Sequence, residues 1–295
     1  RFQDLSYHIN LPTKSIGTFS IFGFGGLSRQ NRIALNDSLN FIQNASSRSG
    51  SLDLSNTGSS GLIHNFNIGN KTSLKTIYSI NGTNYREEDN YYNKIKGPLI
   101  VTRNNQFQEL NAILSIVATH KINKKNLIKV GFNTNGKNFF LNQREAVSNV
   151  LKDKVKEEGD TRLSQYFLQW KLDPSNKVRF LMGLHGQYFA LNRSHAIEPR
   201  MGIRIQTGKT QFFSAGYGLH SQIQPLGNYF ARIRVGVDSI QPNRNLDFSK
   251  AQHYVVGYNI QFKQNWNFKI EAYYQSLYAI PVSASTKTSF SLINQ

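Results

Sequence analysis

The chain of 295 residues contains no cysteine. Disulfides and thiolate-held metals are therefore excluded, which suits an oxidising envelope compartment. It has no apolar run of about 18 residues or more, so a membrane-spanning helix is excluded. A barrel is not excluded, because its strands give half their side chains to a wet lumen. Acids are few: 17 Asp and Glu stand against 35 Lys and Arg, for a net charge of +18. Lys121, Lys124, Lys125, Lys71 and Lys75 fall at turns and strand ends, and the other bases are scattered along alternating segments without a helix-borne cluster. The charge therefore reads as pairing with lipid phosphates and not as a nucleic-acid surface.

What the chain does have is aromatic alternation. The stretch from His253 to Tyr278 holds two limbs around a polar break. Tyr254, Val256, Tyr258, Ile260 and Phe262 share one side of the first limb, and Gly257, Asn259, Gln261 and Lys263 the other. In the second, Phe268, Ile270, Ala272 and Tyr274 oppose Lys269, Glu271, Tyr273 and Gln275. Successive side chains of a strand point to opposite faces, so this is a hairpin with one apolar and one polar face. Limbs of about ten residues suffice to cross an apolar slab of roughly 25 Å when tilted.

Similar pairs recur along the chain, with tight turns near Pro12, Asn70, Lys124, Ser175, Gly208 and Asn265. Between them lie polar stretches read as long loops: 27–60, 81–106, 135–160 and 221–250. Within these, Val150–Glu158 has helical composition, and Phe230–Val235 reads as a short strand. Short turns on one rim and long loops on the other are the signature of an outer-membrane barrel. The expected fold is all-β: an antiparallel transmembrane meander of about twelve strands over residues 1–295, a part of a larger barrel.

No catalytic constellation and no metal-ligand spacing is present, and no cofactor is expected. Gly23, Gly25 and Gly26 precede neither a Lys-Ser/Thr pair nor a helix, so they read as strand-end glycines and not as a phosphate loop. The polar faces give the candidate lumen and ligand residues: Lys177, Arg179, His185, Gln187, Arg200, Arg204, His220, Lys263, Lys269 and Glu271, with Glu271 read as the only acid among these strands. A lumen so lined favours anionic solutes. His185 and His220 read as solvated lining, with a haem or metal ligand as the alternative, and Glu157 and Glu158 read as solvated. Tyr7, Tyr78, Trp170, Tyr188, Trp266 and Tyr278 sit near turn or loop boundaries, where rings with an apolar body and polar tip form membrane girdles.

Ile197–Arg204 and Ala215–Gln222 resemble the barrel of TonB-dependent outer-membrane receptors of the Bacteroidetes type, as do Leu246–Tyr254, Glu271–Pro281 and Gly17–Gly26. The resemblance implies a Gram-negative outer-membrane location and import of a metal chelate, oligosaccharide or peptide. It also implies contact with the TonB complex through a plug domain and, in this variety, a surface lipoprotein partner. Such receptors place a plug before a barrel of about 22 strands. Arg1 leaves no room for a plug, and Ser291–Gln295 does not look like a terminal aromatic strand. The chain therefore reads as a middle section, with any export signal removed or outside it. A structural or secretion-associated barrel and a diffusion porin remain the alternatives.

Overall fold

A computed structural model describes residues 1–36, 45–235, 238–262 and 266–282. Alternation along these segments gives fourteen strands in chain order: β1 (Phe2–Pro12), β2 (Thr18–Arg32), β3 (Ser49–Ile68), β4 (Thr72–Tyr92), β5 (Leu99–Lys121), β6 (Asn126–Val147), β7 (Val150–Ser175), β8 (Val178–Phe189), β9 (Ser194–Gly208), β10 (Gln211–Gln222), β11 (Ile233–Val235), β12 (Asp238–Ile240), β13 (Ser249–Phe262) and β14 (Trp266–Tyr278). All but β11 and β12 form one antiparallel sheet of twelve strands in chain order, and those two make a small hairpin of their own. The sheet is an open meander whose free edges, among the described residues, are β1 and β14. Both edge strands are solvent-exposed almost throughout.

Three of the expected long loops are largely strand. β2 continues to Arg32 and β3 begins at Ser49; β4 runs to Tyr92 and β5 begins at Leu99. The 135–160 loop shrinks to a two-residue turn at Ser148 and Asn149, whose φ angles of 54° and 62° suit a type I′ hairpin. Val150–Glu158 is therefore strand and not helix: its residues pair with β6 from Val147↔Val150 to Phe140↔Glu158, and ladder bonding overrides helical composition. Of Phe230–Val235, only Ile233–Val235 is strand, and a single helical turn at Leu226–Tyr229 precedes it.

The reason these stretches look like loops is that their polar residues fall on both faces. Glu87 is paired with Asn105 and Glu88 with Asn104 on opposite sides of the same hairpin. Cross-strand ion pairs stand in for apolar contacts there: Arg103 with Glu87 at 2.9 Å, Lys137 with Glu109 at 3.2 Å and Arg144 with Asp153 at 3.3 Å. β7, at 26 residues, reaches about 85 Å at roughly 3.3 Å per residue, far beyond the 9–11 residues or so that cross a bilayer.

Register fixes the two faces. Trp170, Met182, Met201, Tyr217, Tyr254 and Tyr274 are successive partners on one face, as are Ile9, Ile21, Leu62, Tyr78 and Leu114. Most of these side chains are exposed. The buried core lies on the opposite, polar face, where Phe139, Leu141, Val155, Phe189 and Ala196 are covered by Leu226, Tyr229, Phe230 and Phe248. The connection between β10 and β13 is thus folded back over the polar face of β6–β9.

Candidate solute-facing site

The polar face is organised around an acid that the pattern of bases conceals. Glu198 of β9 is paired with His185 of β8 and is fully buried, its side chain 1% exposed. Its Oε2 lies 2.9 Å from His185 Nδ1 and accepts from Arg200 Nη2 at 2.5 Å. Its Oε1 accepts from Gln187 Nε2 at 2.5 Å, from the Ser221 backbone N–H at 3.0 Å and from the Ser221 hydroxyl. A buried carboxylate is tolerated only when so satisfied. A carboxamide relay feeds it across four strands: Asn133 donates to Gln165 at 3.0 Å, Gln165 to Gln187 at 2.9 Å, and Gln187 to Glu198.

Ser221 stands near the end of β10, just before the chain enters the connection 223–248. Glu198 therefore ties the root of this segment, a strap across the polar face, to the wall. The far part is tied by Glu157 of β7, which accepts from Arg232 Nη2 at 2.6 Å and from Gln241 Nε2 at 2.5 Å. The reading of Glu157 as merely solvated is thus corrected, while Glu158 is exposed. Asn192 donates to the Leu246 carbonyl at 2.6 Å, and the Tyr229 hydroxyl accepts from the Gln224 N–H at 3.1 Å. Phe189 packs against Tyr229 with ring centroids 5.4 Å apart, and Phe139 against Phe230 at 5.1 Å.

The sequence-derived candidates divide clearly. His185, Gln187 and Arg200 converge on Glu198, as described. Arg179 forks onto Asp173 at 2.7 and 3.3 Å, which holds the Asp173 carboxyl below the usual range. Lys269 pairs with Glu271 at 2.7 Å. Arg204 lies over the Phe212 ring, with Cζ 3.6 Å from its centroid. His220 meets His253 edge-on at 4.9 Å. Lys177 is in the turn before β8, exposed, and Lys263 lies outside the described residues, as do Asn265 and Ser291–Gln295. Glu271 is not the only acid on these strands, since Glu198 is buried among them.

Sequence reading missed Glu198, Ser221 and the strap. Glu198 keeps phase with Arg200 and Arg204 along β9, so alternation alone could have placed it on the polar face. The six proposed girdle residues all fall on the apolar face by register, from Tyr7 opposite Gly23 to Tyr278 opposite Lys250. Among the described residues no group of three or more His, Cys, Asp or Glu side chains could hold a metal.

No family model matches the sequence, and no curated protein matches it. Solved structures do. The ferric-catecholate import receptor Fiu of E. coli K12, in its closed form, superposes at TM-score 0.70 and 8% identity over 96% of this chain and 52% of its own. The FrpB iron transporter of Neisseria meningitidis gives TM-score 0.60 at 10% identity, covering 88% of this chain and 42% of that one. The RagAB peptide transporter gives 0.61 at 9% identity, covering 93% and 40%. The chain spans about half the length of the first of these and less of the others. At such identities the likeness establishes architecture alone: a twelve-stranded antiparallel meander similar to part of the barrel of these proteins, here an open sheet.

Proposed function

We propose that the chain is a section of a TonB-dependent outer-membrane receptor that imports a solute with energy passed from the inner membrane. The observation that carries this reading is the division of one long meander into an exposed apolar face and a polar face. Apolar side chains such as Leu168, Leu184, Met201, Val256 and Tyr274 are exposed together over many strands. A soluble monomer rarely leaves a patch beyond a few hundred Å2 uncovered, whereas lipid covers such a face without cost.

In this reading Tyr7, Tyr78, Trp170, Tyr188, Trp266 and Tyr278 form the membrane girdles, and the outer membrane is that of a Gram-negative bacterium of Bacteroidetes type. Energy reaches the barrel from the TonB complex through a plug domain, and a surface lipoprotein is a further partner. The polar face binds cargo and carries out no covalent chemistry. Cargo is a metal chelate, oligosaccharide or peptide. The similar proteins span these possibilities in part: their names specify ferric-catecholate, iron and peptide transport.

The two sheet edges that are free among the described residues support the view that residues 1–295 are a section of a larger barrel. Unpaired backbone groups within hydrocarbon cost several kcal/mol each, so β1 and β14 require further strands or each other. The test is uptake by cells making the full-length protein, with the TonB complex intact or disabled. Energy-dependent uptake lost on disabling TonB is expected. Uptake that is unchanged would replace this reading with a diffusion porin, and absence of uptake with a structural barrel.

A further inference from the structure

The polar wall of β8–β14 pairs most of its basic groups internally. Arg179 has Asp173, Arg200 and His185 share Glu198, and Lys269 has Glu271. His220 and His253 differ. Register puts them on the polar face of β10 and β13, next to one another, and both rings are half-buried. They touch edge-on, and among the described residues neither makes a hydrogen bond or an ion pair. Each neutral imidazole has one N–H donor and one acceptor nitrogen, so both rings have unused polar atoms.

These rings line a pocket of about 540 Å3, whose roof is the strap root from Ile223 to Pro225 and whose far wall is β14. Lys250 and Gln275 also line it, and no carboxylate does. Among the described residues Lys250 pairs with one acid, the exposed Asp247, at 4.0 Å, so its ammonium retains donors for another partner. Among nearby charged and titratable groups, Arg200 adds to the positive field and Glu198 offsets it, with His185 on the same carboxylate. Donors without an acceptor acid, in a half-enclosed concavity on the polar side of the sheet, suit an oxyanion.

We propose that this pocket is a subsite for an anionic oxygen group, carboxylate or phosphate, of the transported solute, held by His220 and His253 with Lys250 as a further lining cation. The proposal rests on the transport reading above only for calling the bound molecule cargo. Its position beside Ser221 puts the ligand against the strap root. The two histidines stand on the polar face, away from lipid, which favours a dissolved solute over a lipid headgroup.

The full-length protein in detergent, isotope-labelled at histidine, is titrated with citrate, with inorganic phosphate, with sucrose and with zinc. Citrate or phosphate should shift two imidazole resonances saturably, and sucrose should shift neither. The variants His220→Gln and His253→Gln assign the two signals, and the double variant should weaken the anion at least about tenfold. Lys250→Gln, at a partly exposed side chain, should weaken it with both signals still present, which keeps the test open if the double variant fails to fold. Absence of a shift, an equal shift with sucrose, or unchanged affinity in Lys250→Gln and in the folded histidine variants would overturn the proposal. So would a response to zinc alone, which would make the pair a metal site. A shift produced by vesicles bearing anionic lipid but not by citrate or phosphate would assign the pocket to headgroups and overturn it too. Anion binding retained without TonB-dependent uptake fails the transport reading alone; uptake retained without anion binding fails this subsite alone.

Discussion

The ring of Tyr7 lies across Gly23 in the neighbouring strand. A Cβ on Gly23 would sit 2.4 Å from Cε1 and Cζ of that ring, and the Tyr7 hydroxyl is 2.8 Å from Ser60 Oγ one strand further on. The same device recurs on the other face, where Phe167 covers Gly131 and Phe22 covers Gly61. An aromatic ring laid over a strand glycine restores the packing that the glycine lacks and pins the register. Gly23→Val should therefore expel the Tyr7 ring and cost about 1–3 kcal/mol. The measurement is urea unfolding of the protein in lipid vesicles. A variant as stable as the parent would show that Tyr7 gains nothing from lying over Gly23.

Such contacts also explain how far the sequence could be read. Alternation is legible where one face is apolar, as in Tyr254–Phe262 and Phe268–Tyr274, and the sheet pairs these residues in the expected phase. It fails where both faces are polar, as around Glu87–Asp89, because a ladder needs only backbone groups and leaves no hydrophobic period. It fails again at Phe139, Leu141 and Phe189, which are buried apolar residues on the more polar face. Those residues look out of phase until the strap that covers them, some 35 to 110 residues away, is folded in place. The pairing of bases with acids was illegible for the same reason: Ser221, Gln187 and Glu198 meet only once three strands are aligned.

Glu198→Ala should release the strap. Removing one member of a buried, hydrogen-bonded charge cluster costs about 3–5 kcal/mol, since the partners are left unpaired. Here the loss falls on Arg200, His185, Gln187 and Ser221, at the strap root. Trypsin should then cleave at Arg232 and Arg244, whose guanidinium groups are otherwise held by Glu157 and over the Phe230 ring. Unaltered resistance at both arginines would mean that the apolar core of the strap suffices without its anchor.

Asp89 gives a pH dependence. It lies 17 residues beyond the start of β4 at Thr72, in the part of the strand that extends past a bilayer's thickness. Burial, and then the neighbouring Glu87, raise its pKa above the ordinary aspartate value, with Arg103 opposing. Between the ordinary and the raised value the folded chain binds more protons than the unfolded one. Stability from this group is therefore full at the acid end and falls as pH rises through that window. Asp89→Asn should flatten that fall between pH 4 and the raised value, roughly, while leaving the acid limb in place. Unfolding midpoints across mildly acidic pH measure it, and an identical slope in the variant would remove Asp89 as the cause.

The two faces of β13 allow the membrane reading to be tested one residue apart. Val256 is paired with Ala215 and Ala272 on the apolar face, whereas Val255 is paired with Gly216 and Tyr273 on the polar one. Both are valines in the same ladder and both are exposed, so strand propensity and backbone bonding are matched between them. Val256 is six residues before Phe262, the last residue of the strand, which at the usual tilt puts it near the middle of an apolar slab of roughly 25 Å. Val256→Arg should therefore cost about 2–4 kcal/mol in vesicles, with Ile260→Arg, nearer the turn, costing less. Val255→Arg, facing water, should change stability by no more than about 0.5 kcal/mol, as surface substitutions do. Unfolding in vesicles measures all three. If arginine at 255 and at 256 proves equally costly, or equally harmless, the apolar face does not meet lipid, and the barrel-wall reading loses the observation on which it stands.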